Sequence, residues 1–167
     1  MIRYRTATLA DLVDVKALLW DQGPNQWNYL TEEGVEAEFA LVEQGLAMVM
    51  VAVDKEQIIG FAVLMDGEVG LDTLSQYCTL SEIGYIGDVV VSSVYAGQGI
   101  ATRLLQLCIE KSKQKGAHTV WIERHEENLA SAGMMRKAGF QIVDTFYDPD
   151  KRSAGSRKTS ILCYTIP

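Results

Sequence analysis

The 167-residue chain reads as an α+β domain: a mixed, mostly antiparallel sheet with one parallel strand pair, flanked by helices. Three observations predict this. Apolar runs at 47–53 (AMVMVAV) and 58–65 (IIGFAVLM) flank a short polar break, the pattern of a hairpin. Strand-like segments at 85–91 and 118–124 enclose a long amphipathic stretch, so they should be parallel neighbours joined by a right-handed helical crossover. Near the N-terminus, Leu12, Val15, Leu18 and Leu19 recur on one helical face.

The elements follow in order. Residues 2–6 form a short strand. Thr8 and Asp11 resemble a cap and an acidic first turn for a helix reaching about Trp20. Residues 21–30 are loop-like. A second helix starts at Thr31 with Glu32 and Glu33 in its first turn, buries Val35, Phe39 and Val42, and stops at Gly45. The hairpin comes next, and residues 66–81 are irregular. After the strand at 85–91 a helix runs from Gln98 to about Lys115, with Ile100, Leu104, Leu105, Cys108 and Ile109 inward. A short helix at 128–138 ends at Gly139, and strands at 140–146 and 159–166 close the chain. No repeat or linker interrupts this order, so residues 1–167 are expected to form one domain.

Composition narrows the function. Apolar residues make up 48% and charged residues 22%, ordinary usage for a domain whose core forms without disulfides. Cys78, Cys108 and Cys163 include no CxxC pair, and His118 and His125 lack companions, so no metal site is expected. Cys108 and Cys163 read as core residues, Cys78 as a free thiol, and both histidines as surface or strand-end residues. A reducing cytoplasm fits this usage. No apolar run approaches the roughly 20 residues of a spanning helix, and the N-terminus lacks a signal-peptide core, so no membrane partner is expected. A net charge of −7 disfavours nucleic acid, whose binding rests on Lys and Arg, and its field would favour a cationic partner.

The chemistry is concentrated at 89–106 (VVVSSVYAGQGIATRLLQ). A strand enters a tight turn with Gly97 and Gly99, Ala101 follows, and a long helix begins at once. Small residues let the backbone approach a ligand, and the helix N-terminus presents free amides, an arrangement that suits a pyrophosphate. A nucleotide P-loop would need GxxxxGK with Ser or Thr, and there is no lysine here. A dinucleotide fingerprint would need a third small residue and a place near the start of the fold.

The window Ala96-Gly97-Gln98-Gly99-Ile100-Ala101 resembles the central motif of the GNAT superfamily of N-acetyltransferases, whose pattern is Arg or Gln, two residues, Gly, one residue, then Gly or Ala. Ala96 departs from it at the first position. A second segment, Asn128 to Phe140 (NLASAGMMRKAGF), resembles the family's Asn-x-x-Ala-x-x-Leu-Tyr-x-Lys-x-Gly-Phe, with Ser131 in place of a common Ala and Met135 at the usual tyrosine. The helix order resembles the family along nearly the whole chain.

The resemblance implies an acetyltransferase that carries acetyl from acetyl-CoA to a primary amine of a small molecule, peptide or protein, with no metal. It implies acetyl-CoA contacts from Val89, Val90 and Val91, from Ala96, Gly97, Gln98, Gly99, Ile100, Ala101 and Thr102, and from Asn128, Ser131, Met135 and Lys137. Asn128 is also a natural helix cap. In the family a bulge in the Val89–Val91 strand splays it from its parallel neighbour and frees an amide to polarise the thioester. The base candidates are Asp88, whose segment resembles members with an acidic pair there (Gly87 stands at the first acid), then Glu82, Glu123 and Tyr85. Met135 cannot donate a proton where many members carry tyrosine. The acceptor site should be walled by the first helix–loop–helix and the last hairpin, with Trp27 and Tyr147 the principal lining and Trp20, Asn25 and Gln26 near them. Lys151, Arg152, Arg157 and Lys158 read as a solvated cluster able to grip an anion. A homodimer is a family-level expectation. The rival class is a non-catalytic coenzyme A-binding sensor or assembly module, and Met135 is the feature that favours it.

Overall fold

A computed structural model describes all residues from Met1 to Pro167. Strand β1 (Arg3–Thr6) leads through one 3-10 turn into helix α1 (Leu12–Gln22). That turn is fastened locally, because Arg5 donates to the Asp11 carboxylate at 2.6 Å and the Thr8 N–H donates to it at 2.7 Å. The bond from Arg5, helped by the Thr8 amide, holds the Asp11 carboxyl well below the usual carboxylate range. Helix α2 (Glu32–Glu43) starts where a threonine caps it: Thr31 Oγ1 accepts from the Gly34 N–H at 3.0 Å.

Strands β2 (Ala47–Asp54) and β3 (Gln57–Asp66) form the expected hairpin, turned by Lys55 and Glu56 at φ of 50° and 67°. Both values are left-handed, as a two-residue turn that follows the strand twist requires. Three short 3-10 turns carry the chain to β4 (Ile83–Val91). Helix α3 (Ile100–Gln114), β5 (Thr119–His125), α4 (Leu129–Ala138), β6 (Gln141–Tyr147) and β7 (Lys158–Thr165) complete it. The element order is the one read from the sequence, with ends shifted by one or two residues.

One seven-stranded sheet runs β1-β2-β3-β4-β5-β7-β6. Only β4 and β5 are parallel. Helices α1 and α2 cover one face and α3 and α4 the other, so the central strands are buried on both sides. In β2, Val49, Val51 and Val53 pack under α1 and α2, while Met50 and Ala52 pack under α3. This explains the unbroken apolar runs, since alternation survives only where one face meets water.

In β4 the alternation breaks. Ile83 and Tyr85 face α1 and α2 and Ile86 faces α3, whereas Val90 has moved to the α1–α2 side and Val89 and Val91 to the other. Between Ile86 and Val89 the register against β3 slips, with Gly87 and Asp88 opposite the single residue Val63. This is a β-bulge, and it bends the strand away from its neighbour. Pairing with β5 stops at Ile86–Ile122. The bulge therefore lies in the strand that holds Val89–Val91, as the resemblance implied, just ahead of those residues.

Of the cysteines, Cys108 is buried and burial pushes its thiol up to about 12, while Cys78 and Cys163 are half-buried and their thiols are also raised by burial. None has the lowered pKa of a reactive thiol. No group of three or more His, Cys, Asp or Glu side chains converges as a metal site, and no helix is long and apolar enough to cross a membrane. Leu104 lies at the centre of the α3 layer with no solvent exposure. Leu104→Ala should lower stability by about 2–5 kcal/mol, read as a lower denaturation midpoint at unchanged m-value.

Candidate active site

Where β4 leaves β5, a cleft of about 630 Å³ opens. Val89, Val90 and Val91 form one wall, and the whole turn Ala96–Thr102 lines its end. The turn is shaped by two left-handed residues, Gly97 (φ 79°) and Gly99 (φ 75°). A Cβ added at either would meet no atom within 4 Å, so the backbone stands bare toward the cleft. Gly99 is the N-cap of α3, and no side chain caps the helix. The first-turn amides of α3 thus remain free for an anion. The Tyr95 hydroxyl donates to Asp54 at 2.6 Å, and the Ser93 N–H donates to Gln22 at 3.0 Å, which tie the turn to the β2–β3 hairpin and to α1.

Helix α4 supplies the facing wall. Asn128, Ser131, Met135 and Lys137 all line the cleft. Asn128 Oδ1 accepts from the Ser131 N–H at 3.2 Å, so its oxygen is the cap and its amide NH₂ stays available to a ligand. Met135 is buried at the base. Arg124, absent from the sequence reading, also lines this side; it is buried, donates to the His125 and Glu126 carbonyls, and has an unpartnered Nε.

On the α1–α2 face of the sheet lie the groups considered for proton transfer. Asp88 sits in the bulge, half-buried and lining the cleft. Glu123 lines it too, but Arg152 Nη2 lies 3.5 Å from its Oε1 and Lys151 is paired with the same oxygen. Arg152 also donates from Nε to Thr159 Oγ1 at 2.8 Å, and the Thr159 hydroxyl donates to Asp148. The solvated-cluster reading fails at Arg152, which is buried against Glu123 and Thr159; Lys151, though paired with Glu123, is exposed, as are Arg157 and Lys158. Burial first, and then the Glu123 and Asp88 carboxylates, push the Tyr85 phenol well above its usual value, so Tyr85 stays protonated. Glu82 does not join them. It is exposed at the opposite end of β4, beside His118 at 3.3 Å. Six residues of strand separate it from Asp88, about 20 Å.

The cleft is also walled by Trp27, Asn25 and Asn28 from the α1–α2 loop, on the side expected to hold the acceptor. Trp27 packs on His125 with ring centres 4.6 Å apart. His125 is a strand-end residue, yet buried rather than at the surface. Its Nδ1 accepts from the Glu127 N–H at 3.0 Å and its Nε2 donates to the Ala154 carbonyl at 2.7 Å, which places the ring proton on Nε2. Tyr147 is not lining: it is 62% exposed near the end of β6, where the sheet edge carries it away from the cleft. Trp20 and Gln26 are exposed and do not line it either.

One residue that sequence reasoning missed is Glu38 of α2. Its Oε1 is shielded from water with no donor reaching it. Burial first, and the Asp88 carboxylate second, hold the Glu38 carboxyl well above the usual range. A signal existed, because position 38 falls inside the stripe Val35, Phe39, Val42 and so points inward.

Comparison with known proteins agrees with this geometry. The model of the acetyltransferase (GNAT) family matches residues 12–140. The chain is 27% identical over 114 residues to [ribosomal protein bS18]-alanine N-acetyltransferase of Haemophilus influenzae, covering 67% of this chain and 68% of that protein. It is 32% identical over 90 residues to N-alpha-acetyltransferase 30 of Schizosaccharomyces pombe, covering 54% of this chain and 55% of that one, so the match spans about half the length of that relative. Among solved structures, ribosomal-protein-alanine N-acetyltransferase of Brucella melitensis superposes with a TM-score of 0.78 at 20% identity, covering 98% of this chain and 99% of the other. An acetyltransferase of Salmonella typhimurium solved with its cofactor acetyl-CoA superposes with a TM-score of 0.77 at 15% identity, covering 100% and 95%. These two likenesses establish the fold. Because the family model spans the strands and helices that build the cleft, the chain belongs to the GNAT family of acetyltransferases.

Proposed function

We propose that the protein transfers an acetyl group from acetyl-CoA to a primary amine. The observation that carries this reading is the alignment of three features along one cleft: the splay beyond Ile86–Ile122, the bare amide turn before α3, and the Asn128 amide on the facing wall. Acetyl-CoA would supply the acetyl group already activated as a thioester. Its pyrophosphate fits the turn, where the helix dipole adds only about 0.3–1 kcal/mol and the free amides do most of the holding. Ala96 offers no side-chain donor, so the cradle rests on backbone from Gly97 to Thr102. The wall at Val89–Val91, just past the bulge, offers amide donors for the charge that develops on the acyl oxygen, an effect of about 3–4 kcal/mol in comparable sites.

Asp88 is the acceptor of the amine proton. It is the carboxylate on the cleft that no cation holds, whereas Glu123 is committed to Arg152 and Lys151. Thiols have a pKa near 8.5, so the departing sulfur needs little help from an acid, and Met135 is tolerable there. Two relatives are named for acetylation of an alanine or of an α-amine, so peptides with free N-termini are the first acceptors to test. The second reading, a coenzyme A-binding module without turnover, is favoured by buried Met135, which has no proton to give.

Three outcomes test this reading. Acetyl-CoA should raise the melting temperature, and thiol release should follow when a panel of peptides and small amines is added; stabilisation without turnover of any amine would favour the second reading. Gly99→Ala should weaken acetyl-CoA binding in calorimetry and cost about 1–2 kcal/mol of stability, because alanine is strained at φ 75°. Asp88→Asn should lower kcat by about 10²–10⁴-fold with acetyl-CoA affinity nearly preserved, measured by steady-state kinetics and calorimetry.

A further inference from the structure

Gly87, the first residue of the bulge, has no side chain, and a larger residue would have to displace the ends of two side chains. A Cβ there would lie 2.7 Å from Met65 Cε and 2.8 Å from Glu38 Oε2. The space beside the bulge is therefore filled from another element, by the carboxyl of α2. Glu38 Oε1 is buried and meets no donor. Its polar neighbour is Asp88, itself an acceptor when ionised. Two carboxylates cannot both keep their charge at such range in a poorly hydrated site, so one proton stays between them.

We propose that Glu38 keeps a proton and donates it in a hydrogen bond to Asp88, holding one carboxylate oxygen at the bulge and leaving the other for the acceptor amine. Glu38 is thus a positioning residue that acts through Asp88. This rests on the proposed acetyl transfer. In that reaction the amine nitrogen bonds the acetyl carbon and the carbon–sulfur bond breaks with its electron pair on sulfur. The proton lost by nitrogen passes to Asp88, and from there to the sulfur or to solvent.

The surroundings support a neutral Glu38. Asp88 and Tyr85 of β4 lie beside it; Glu123 of β5, which with it acts on Tyr85, is paired to Arg152 and Lys151 of the loop before β7. The facing residues of β2 and β3, such as Val51, Val63 and Met65, are apolar. Lys16 of α1 is engaged with Glu36 at 3.1 Å on the exposed side. No cation is left to stabilise an ionised Glu38.

The test combines infrared spectroscopy, unfolding and kinetics. At pH 7 the wild type should show a protonated-carboxyl band that Glu38→Gln removes. Glu38 binds its proton more tightly in the folded than in the unfolded chain, so its contribution to stability falls as pH rises from its ordinary value of 4.5 through its raised folded value. Glu38→Gln should therefore gain stability over wild type increasingly as pH rises. With a free-N-terminus peptide as acceptor, Glu38→Leu should lose about tenfold or more in kcat with KM for acetyl-CoA little changed. Glu38→Gln, which retains an N–H donor, should recover most of that loss and lack the alkaline change seen in wild type. A missing band, a band that survives Glu38→Gln, or equal rates and pH profiles for the Gln and Leu variants would overturn the proposal. If wild type turns over no amine, acetyl transfer fails, while the band and the pH dependence of unfolding still decide the carboxyl pair.

Discussion

The two-residue bulge at Gly87–Asp88 is the constraint on which the rest of the site depends. A regular β4 would continue its parallel pairing with β5 past Ile86–Ile122, and its hydrogen bonds would close the sheet where the cleft now opens. One extra residue ends that pairing and inverts the facing of everything after it. Val90 turns inward toward α1 and α2, while Val89 and Val91 turn toward α3. The same insertion sets Asp88 on the cleft and leaves Gly87 beside Glu38. The turn before α3 then lies at the end of the opened gap, so it and Asp88 line one channel.

The charges on the acceptor side follow from that geometry. Three carboxyls and a phenol crowd the α1–α2 face near the bulge, in surroundings where a like-charge pair is expensive. Each is relieved differently. Glu123 takes Arg152 and Lys151 as partners, Tyr85 remains a neutral phenol, and Glu38 retains a proton. Asp88 is left as the free anion facing the cleft, which suits a cationic amine and agrees in sign with the chain's net charge of −7. The loop from 148 to 158 gives up Arg152 to this arrangement, while Arg157 and Lys158 stay exposed.

The acceptor wall is held by polar contacts between distant segments. Trp27 from the α1–α2 loop packs on His125 of β5, and His125 bonds to Ala154 in the loop before β7. Arg152 donates to the Trp27 carbonyl at 3.5 Å as well as to Thr159. Two loops and the end of β5 are thereby joined around one imidazole and one guanidinium, which orders the wall before any ligand arrives and lowers the entropy cost of binding.

The sequence by itself determined the order of elements, the parallel β4–β5 pair and the cradle, because each is written in local terms. Periodicity marks the strands and helices, Gly97 and Gly99 supply backbone that other residues adopt only under strain, and Asn128 caps the helix it begins. Contacts between segments far apart in the chain leave a weaker trace. Arg152 and His125 look like surface residues until the loops fold over them, and Glu82 and Tyr147 look close to the site until their strands carry them away. Glu38 had a local sign, its place in an apolar stripe, but its neighbour Asp88 lies fifty residues onward. Only the tertiary structure could bring that carboxyl into the space left by Gly87, since packing between layers, not spacing along the chain, decides which charges meet.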